Sequence, residues 1–349
     1  MTDTTSTAHR TPDASREPVP VAVVGLGWWG STIIDGLQDN EHLRVIRGVD
    51  VDQEQCARVG DRFGIPTTSS LADALEDDEV RAVVLCSPHP LHLEQIVQAA
   101  EAGKHVFCEK PFSVNSGDAR TALAAIKAAG VGVGIGHERR FEPAVQQLQN
   151  DLRTGVLGVP LVFEGNFSQD KFLSLPPDNW RLSSSLAPVG PLSATGIHLV
   201  DLAISMFGAP AEVHARLGTL ATGFANGDTL VVTIGFESGS TAVITAVLTT
   251  PFIGRVCVMG SEGWTEIRDR NHPEKSMGWD VTTVLRGGEP RAEYFPPFPS
   301  VVANLQAFAD SVNGGASYPV ATSDIQLNVD TFEAISRSAA SGKLERLRR

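Results

Sequence analysis

Apolar residues in the first 140 positions form short continuous runs, separated by stretches with helical periodicity. The runs are rich in valine, isoleucine and leucine, and they cover residues 21–24, 45–49, 82–86, 105–108 and 131–135. Runs of this kind are typical of parallel strands that are buried on both faces of a sheet. Helices are predicted between them, at residues 52–63, 70–76, 91–102 and 115–129. Repeated strand–helix–strand order predicts a doubly wound parallel sheet.

The pattern changes after residue 140, where apolar and polar positions begin to alternate. Alternation at 161–168, 229–236 and 241–248 predicts strands with one covered face, as in an antiparallel sheet. The four residues between the last two of these strands are suited to a hairpin connection. Further helices are expected at residues 143–154, 197–206, 301–312 and 324–341.

The fold class predicted from this order is an α/β Rossmann domain followed by an α+β domain with a large, open, mostly antiparallel sheet. The predicted boundaries are a polar, disordered tail at 1–18, a dinucleotide-binding domain at 19–138 and a substrate-binding and oligomerisation domain at 139–349. The final helix is expected to be able to pack against the first domain.

Composition and charge argue against several classes of partner. The net charge is −13 and the globular part has no basic stripe, so nucleic acid is not an expected partner. No apolar run approaches the ~20 residues of a membrane span, and the polar N-terminus lacks the layout of a secretion signal. The four cysteines show no close metal spacing, and His89 and His92 lack neighbouring ligands, so no metal is expected. We expect a cytoplasmic protein.

A glycine-rich turn follows the first predicted strand, and it reads Gly25-Leu26-Gly27-Trp28-Trp29-Gly30. In this G-x-G-x-x-G spacing the first glycine allows a tight turn, the second lets the backbone approach a pyrophosphate, and the third allows close helix packing. The following helix N-terminus would present its N–H groups to the phosphates. Trp28 and Trp29 are either packing residues or a border of the nicotinamide and substrate space.

Asp50 lies twenty positions after Gly30, at the end of the second predicted strand. A carboxylate at this place can accept hydrogen bonds from the ribose hydroxyls of a dinucleotide. Val51 follows it with no arginine directly after, so a 2′-phosphate would be repelled. We therefore expect NAD as the cofactor in preference to NADP.

Two further segments follow the third and fourth predicted strands, at the edge where open α/β sheets bind ligands. Their candidate residues on the cofactor side are Ser87, Pro88, His89, His92, Glu109 and Lys110. His92 is expected to form a hydrogen bond at a helix start near the cofactor. Partial burial of Lys110 would lower its pKa, which would suit it to proton transfer or to polarising a hydroxyl.

Together these segments resemble the glucose–fructose oxidoreductase / inositol dehydrogenase (Gfo/Idh/MocA) family. The resemblance extends from about residue 19 to the last helix, and it rests on the glycine turn, Asp50, Ser87-Pro88-x-x-x-His92, Glu109-Lys110-Pro111 and Gly196-Ile197-His198-x-x-Asp201. It implies an NAD-dependent oxidoreductase that acts on a carbinol or carbonyl of a sugar, cyclitol or related diol. It also implies a homodimer or homotetramer joined through the second sheet.

By the same resemblance, Lys110 and His198 carry the family's lysine and histidine. Imidazole titrates near neutrality, which suits His198 as the acid/base, while Lys110 polarises the substrate oxygen. The family often has an aspartate four residues before this histidine, and here that position is Ala194. Three explanations stay open: Ser193 or Thr195 supplies the missing hydrogen bond, the substrate needs only lysine and histidine, or catalysis has been lost.

The remaining candidates would bind the cofactor or the substrate. Arg140 is predicted either to contact one of them or to form an ion pair between the domains. Trp180 and Arg181 are expected in a loop over the pocket, where they and Thr195 would contact the ring and hydroxyls of a sugar. Two alternatives to a dehydrogenase also stay open: a non-catalytic NAD-sensing regulator, and an internal-redox enzyme with tightly bound NAD.

Overall fold

The computed structural model describes residues 17–347, so the tail predicted at 1–18 lies almost entirely outside the described residues. The first six strands are β1 (Val19–Val24), β2 (Leu43–Val49), β3 (Thr67–Thr68), β4 (Ala82–Leu85), β5 (His105–Cys108) and β6 (Val133–Ile135). They form a parallel sheet in the order β3-β2-β1-β4-β5-β6. This order is that of a doubly wound Rossmann sheet, and it confirms the predicted fold of the first domain.

The helices of this domain are α1 (Trp28–Gly36), α2 (Gln53–Phe63), α3 (Leu71–Glu76), α4 (His92–Glu101) and α5 (Ser116–Ala129). Side chains of Asp52, Ser70 and Asn115 accept hydrogen bonds from N–H groups in the first turns of α2, α3 and α5. Gly64 and Gly130 end α2 and α5 in the left-handed conformation. Local sequence therefore determines where these helices begin and end.

Nine strands form the second sheet: β7 (Pro160–Ser168), β8 (Pro210–Gly218), β9 (Thr229–Phe236), β10 (Thr241–Val247), β11 (Ile253–Gly260), β12 (Gly263–Asp269), β13 (Trp279–Leu285), β14 (Arg291–Phe295) and β15 (Glu345–Arg346). Their order is β14-β13-β12-β11-β7-β10-β9-β8-β15. β10 and β7 pair in parallel, and the other neighbours are antiparallel. The prediction of a large, mostly antiparallel sheet is confirmed, including the hairpin that joins β9 and β10.

In the described part of the chain, four α-helices follow the first domain: α6 (Pro143–Arg153), α7 (Ile197–Phe207), α8 (Ser300–Val312) and α9 (Thr322–Ser341). Helix α7 covers one face of the second sheet, where Leu199 and Leu202 are fully buried in the core. Within residues 17–347, no helix has the length and apolar content needed to cross a membrane.

The last two helices join the two sheets. Helix α8 was assigned to the second domain from its place in the sequence, but its Leu305 and Phe308 pack in the core of the first sheet. Helix α9 contributes Ile325 to the core of the first domain and Phe332 to that of the second. The C-terminal segment therefore packs against the cores of both domains and links them.

Candidate functional site

The glycine turn between β1 and α1 has the geometry that a pyrophosphate needs. Gly25 has a φ of +89°, and a Cβ there would lie 2.8 Å from the backbone of Cys86 and Ser87. A Cβ on Gly30 would collide with the Gly25 carbonyl oxygen, whereas the space next to Gly27 is open within 4 Å. Helix α1 begins after Gly27 with no side chain capping it, so its first N–H groups can bind phosphate. These residues fit a dinucleotide.

Asp50 lies beside this turn, at the end of β2. Its Oδ2 accepts a hydrogen bond from the Leu26 N–H at 2.7 Å, and its Oδ1 accepts one from the Asp52 N–H at 3.0 Å. The neighbouring Val51 is 88% exposed and carries no charge. A carboxylate held beside the glycine turn fits the ribose hydroxyls of a dinucleotide, and its charge would disfavour a 2′-phosphate.

A cavity of about 770 Å³ lies between the glycine turn and the second domain, which is a typical size for a small-molecule site. The predicted site residues that line it are Trp28, Trp29, Ser87, His89, Glu109, Lys110, Trp180, Arg181, Thr195 and His198. Both tryptophans of the glycine turn therefore border the cavity. These predicted residues come from five separate parts of the chain.

Lys110 follows β5 and points its amine at the segment before α7. Its Nζ donates a hydrogen bond to the carbonyl oxygen of Ala194 at 2.9 Å and lies 3.4 Å from that of Ser193. Burial lowers the pKa of Lys110, while the negative charges of Glu109 and Glu138 oppose this shift. The amine is thus held in the cavity in a state suited to polarising a hydroxyl or carbonyl oxygen.

His198 lies in the first turn of α7 and is 5% exposed. Its Nδ1 lies 3.5 Å from Glu138 Oε2 and has no hydrogen-bond partner in the part of the chain that the structure describes. Burial, and then the positive charge of Lys110, hold the pKa of His198 well below its usual value. Its imidazole is therefore neutral near pH 7, which is the form that can accept a proton.

The segment around Ala194 forms a π-helical turn, Leu192–Gly196, directly before α7. The Ser193 hydroxyl donates a hydrogen bond to the Pro188 carbonyl oxygen at 2.6 Å, and the Thr195 hydroxyl donates to that of Phe167 at 2.7 Å. Neither hydroxyl has a proton free to donate, so Ser193 and Thr195 could replace an aspartate only as hydrogen-bond acceptors. For the same reason Thr195 lines the cavity without a free proton to donate to a substrate.

Arg140 lies outside the cavity. Its Nε and Nη2 donate hydrogen bonds to the two carboxylate oxygens of Asp201 at 2.8 and 2.7 Å, and its Nη1 donates to Asp324 Oδ2 at 2.8 Å. The prediction that Arg140 contacts the cofactor or substrate is wrong, because two carboxylates already engage all its guanidinium nitrogens. The ion-pair alternative is what the structure shows, and it links the domain junction to α7 and α9.

His92 is fully buried and bridges two loops of the first domain. Its Nδ1 lies 2.9 Å from the Pro111 carbonyl oxygen, and its Nε2 lies 3.0 Å from that of Ser87. Neither His92 nor Pro88 is among the residues that line the cavity. His92 therefore makes hydrogen bonds at the start of α4, as predicted, and it holds together the loops that carry Ser87 and Lys110.

Trp180 and Arg181 form one wall of the cavity, in the short helix Trp180–Leu182. The guanidinium carbon of Arg181 lies 4.3 Å from the Trp180 ring centroid, and the His89 ring packs edge-on to the same indole at 4.8 Å. Burial lowers the pKa values of both His89 and Arg181. An indole face beside a cation is suited to the apolar side and hydroxyls of a sugar ring.

Several cavity residues were not predicted as site residues. Lys171 Nζ donates a hydrogen bond to Glu274 Oε2 at 2.5 Å and lies 3.1 Å from His272 Nδ1, opposite Trp28. These residues come from loops after β7 and β12, where no motif marks them. Glu138 was also missed, although it lies two residues before the candidate Arg140.

Comparison with protein families and known structures places this site among oxidoreductases. Residues 19–137 match the model described as "Oxidoreductase family, NAD-binding Rossmann fold", and residues 145–266 match the "GFO/IDH/MocA C-terminal domain". The chain is 30% identical to "Uncharacterized oxidoreductase YrbE" of Bacillus subtilis, over 65% of this chain and 66% of that one. It is 27% identical to the "scyllo-inositol 2-dehydrogenase (NAD(+))" of the same organism, over 77% and 78% of the two chains.

Among solved structures, an aldose-aldose oxidoreductase from Caulobacter crescentus complexed with glycerol is 28% identical to this chain. The two folds agree with a TM-score of 0.84, over 95% of this chain and 100% of the other. The likeness therefore covers both domains.

Proposed function

The chain belongs to the Gfo/Idh/MocA family of NAD-binding oxidoreductases, and from this premise we propose that it is an NAD-dependent dehydrogenase or reductase of a sugar, a cyclitol or a related diol. The observation that carries the proposal is that Lys110 and His198, from different domains, line one cavity beside the glycine turn. The names of the relatives, an inositol dehydrogenase that uses NAD(+) and an aldose oxidoreductase, support this substrate class.

The chain's own residues supply the acid–base chemistry of such a reaction. NAD, when bound, accepts or supplies a hydride. Neutral His198 takes the hydroxyl proton of the substrate during oxidation and returns it during reduction. The Lys110 amine donates a hydrogen bond to the same oxygen and stabilises the negative charge that develops there. Trp180 and Arg181 hold the rest of the substrate.

The test is to mix the purified protein with NAD and a panel of sugars and cyclitols while following the absorbance of the reduced cofactor. We expect reduction of NAD with at least one polyhydroxylated substrate. Failure with the whole panel would contradict the proposal. In that case, cofactor recovered after heat denaturation would favour an internal-redox enzyme, whereas reversible NAD binding without turnover would favour a regulatory protein.

Replacement of Asp50 by alanine is expected to weaken NAD binding and to relax discrimination against NADP. A charge-assisted hydrogen bond contributes about 1.5–3 kcal/mol, so the Kd for NAD should rise roughly tenfold or more. Calorimetric titration with both cofactors measures the change. Asp52→Asn is the matched control, since it removes a neighbouring charge while keeping the polar cap of α2. An unchanged NAD to NADP preference in Asp50→Ala would refute this placement.

We propose further that the protein is a homodimer or homotetramer joined through the open face of the second sheet. This face presents Val231, Val243 and Trp264, which are 43%, 37% and 37% exposed. A sheet face with exposed apolar residues is suited to a subunit interface. Val243→Arg should lower the mass found by light scattering, while Leu220→Arg in an exposed loop should not. An unchanged mass for Val243→Arg would exclude this face.

We propose that the protein is located in the cytoplasm. The four cysteines, Cys56, Cys86, Cys108 and Cys257, are all free thiols, which a reducing compartment maintains. Cell fractionation tests this proposal, and recovery of the protein outside the cytoplasmic fraction would contradict it.

A further inference from the structure

The carboxylates that line the cavity differ in what they bind. In the described part of the chain they are Glu109, Glu138, Glu142 and Glu274. Glu109 accepts a hydrogen bond from the Lys110 backbone N–H, and Glu274 accepts one from Lys171. Glu142 accepts one from Arg139. Among residues 17–347, the close contact of Glu138 with another titratable side chain is the 3.5 Å approach of its Oε2 to His198 Nδ1.

The two groups of this contact have similar surroundings. Glu138 and His198 are both buried, with side chains that are 11% and 5% exposed, and both line the cavity. His198 Nδ1 lacks a hydrogen bond among the described residues, and a closing of about 0.5 Å would form one with the carboxyl group. A buried polar atom without a partner is rare unless it has a functional role.

We propose that Glu138 is the carboxyl partner of His198, orienting its imidazole through Nδ1 and exchanging a proton with it during the reaction. The inference rests on the proposed function, because it assigns a proton path to that reaction. Glu138 reaches the imidazole from the loop after β6 in the first domain. The carboxyl group is therefore supplied across the domain junction, whereas the turn before α7, Leu192–Gly196, contains no acidic residue.

The proton balance is simplest for reduction of a carbonyl group. The substrate carbon gains a hydride from the reduced dinucleotide, and the substrate oxygen gains the proton of His198 Nε2. Nδ1 takes the carboxyl proton of Glu138, so His198 ends neutral and Glu138 ends as a carboxylate. Oxidation of the alcohol is the reverse, in which Glu138 receives the proton that the hydroxyl loses. Solvent restores the starting state of Glu138 after each turnover.

The surrounding charges favour this starting state. Burial, and then the negative charge of Glu109, raise the pKa of Glu138 to about 8, although Lys110 opposes the shift. The charged or titratable groups that act on the pair are Glu109, Lys110, His137, Arg139, Glu142 and His272. Near pH 7 Glu138 therefore holds a proton while His198 is neutral, which is the arrangement that reduction requires.

The first test compares turnover of three variants. Glu138→Gln keeps the size and polarity of the side chain but cannot exchange a proton. Removing the carboxylate that orients a catalytic histidine is costly in other enzymes, so we expect kcat to fall roughly 10- to 100-fold with KM nearly unchanged. Glu138→Asp should keep part of the activity. Asp151→Asn is the control, because it changes a buried carboxylate outside the cavity and should leave kcat unchanged.

The second test moves the carboxyl group. Residue 194 lines the cavity four positions before His198, and its carbonyl oxygen already accepts a hydrogen bond from Lys110. An aspartate there would lie about one helical turn from the imidazole. Ala194→Asp in the Glu138→Gln background should therefore recover much of the lost kcat. Wild-type kcat in Glu138→Gln, or no recovery in the double variant, would overturn the proposal.

The third test does not depend on turnover. An acid whose pKa is raised by folding makes the protein less stable as pH rises from its unfolded pKa toward its folded pKa. The Tm of Glu138→Gln relative to wild type should therefore increase between about pH 5 and pH 8. A Tm difference that is constant over this range would contradict the assignment, and Glu138→Asp can be measured if the glutamine variant does not fold. The Tm measurement needs no substrate, so it tests the role of Glu138 even if the substrate panel contradicts the proposed function.

Discussion

Lys110→Ala and His198→Ala are each expected to lower kcat/KM by ~100-fold or more, because each removes a group that handles the proton or charge of the substrate oxygen. NAD binding should survive, since the glycine turn and Asp50 are untouched. Steady-state kinetics and calorimetric titration with NAD measure the two effects separately. Intact turnover in both variants would defeat these role assignments.

The two alanine variants need a control for charge and for folding. Lys127→Ala removes an exposed lysine from the last turn of α5, far from the cavity, and should leave kcat/KM unchanged. Thermal unfolding of all three variants shows whether a loss of activity reflects a loss of structure. An equal loss in Lys127→Ala would point to a nonspecific effect of charge.

Arg139→Met is expected to destabilise the protein by about 3–5 kcal/mol, the usual cost of leaving buried charges unpaired. Arg139 is 1% exposed, and its guanidinium donates hydrogen bonds to Glu142 at 3.0 Å and to Asp269 at 2.8 Å. These contacts join the domain junction to α6 and β12. Denaturant unfolding measures the loss. Arg62→Met is the matched control, because its exposed ion pair with Asp35 should contribute only about 0–1 kcal/mol.

The loss in Arg139→Met should also depend on pH. Burial raises the pKa of Glu142 to about 7 in the native protein, even though the charge of Arg139 opposes the shift. Without the arginine this pKa rises further above its unfolded value, so the stability of the variant falls more steeply as pH increases. The difference from wild type should be smaller near pH 5 than near pH 8. A difference that is the same at both values would contradict this account.

Much of the first domain was predictable from short stretches of sequence. Apart from β3, its strands coincide with continuous apolar runs, and its helices begin or end at residues such as Asp52 and Gly130 whose effects are local. The second sheet was predicted only in part. Strands β7, β9 and β10 alternate clearly in the sequence, whereas β8 and β11–β15 were not identified, although their pairing completes the sheet.

The site was predictable to the extent that its residues lie in local motifs. Gly25, Asp50 and Lys110 each follow a strand of the first sheet, and the ends of parallel strands meet at one edge by the rules of the fold. His198 was predicted from family resemblance, and the structure brings it to the cavity that Lys110 also lines. The role of Arg140 could not be predicted from local motifs. Its guanidinium group binds Asp201 and Asp324, which lie far from it in the sequence.

Sequence patterns by themselves determined the Rossmann topology and the glycine turn, and they predicted a preference for NAD, because each depends on the order and spacing of neighbouring residues. Only the tertiary structure decided that α8 packs on the first sheet, that Arg140 is held in ion pairs, and that Glu138 lies beside His198. These features depend on which distant groups become buried together and which donor reaches which acceptor. No local pattern carries that information, because burial and pairing arise only when the domains close on one another.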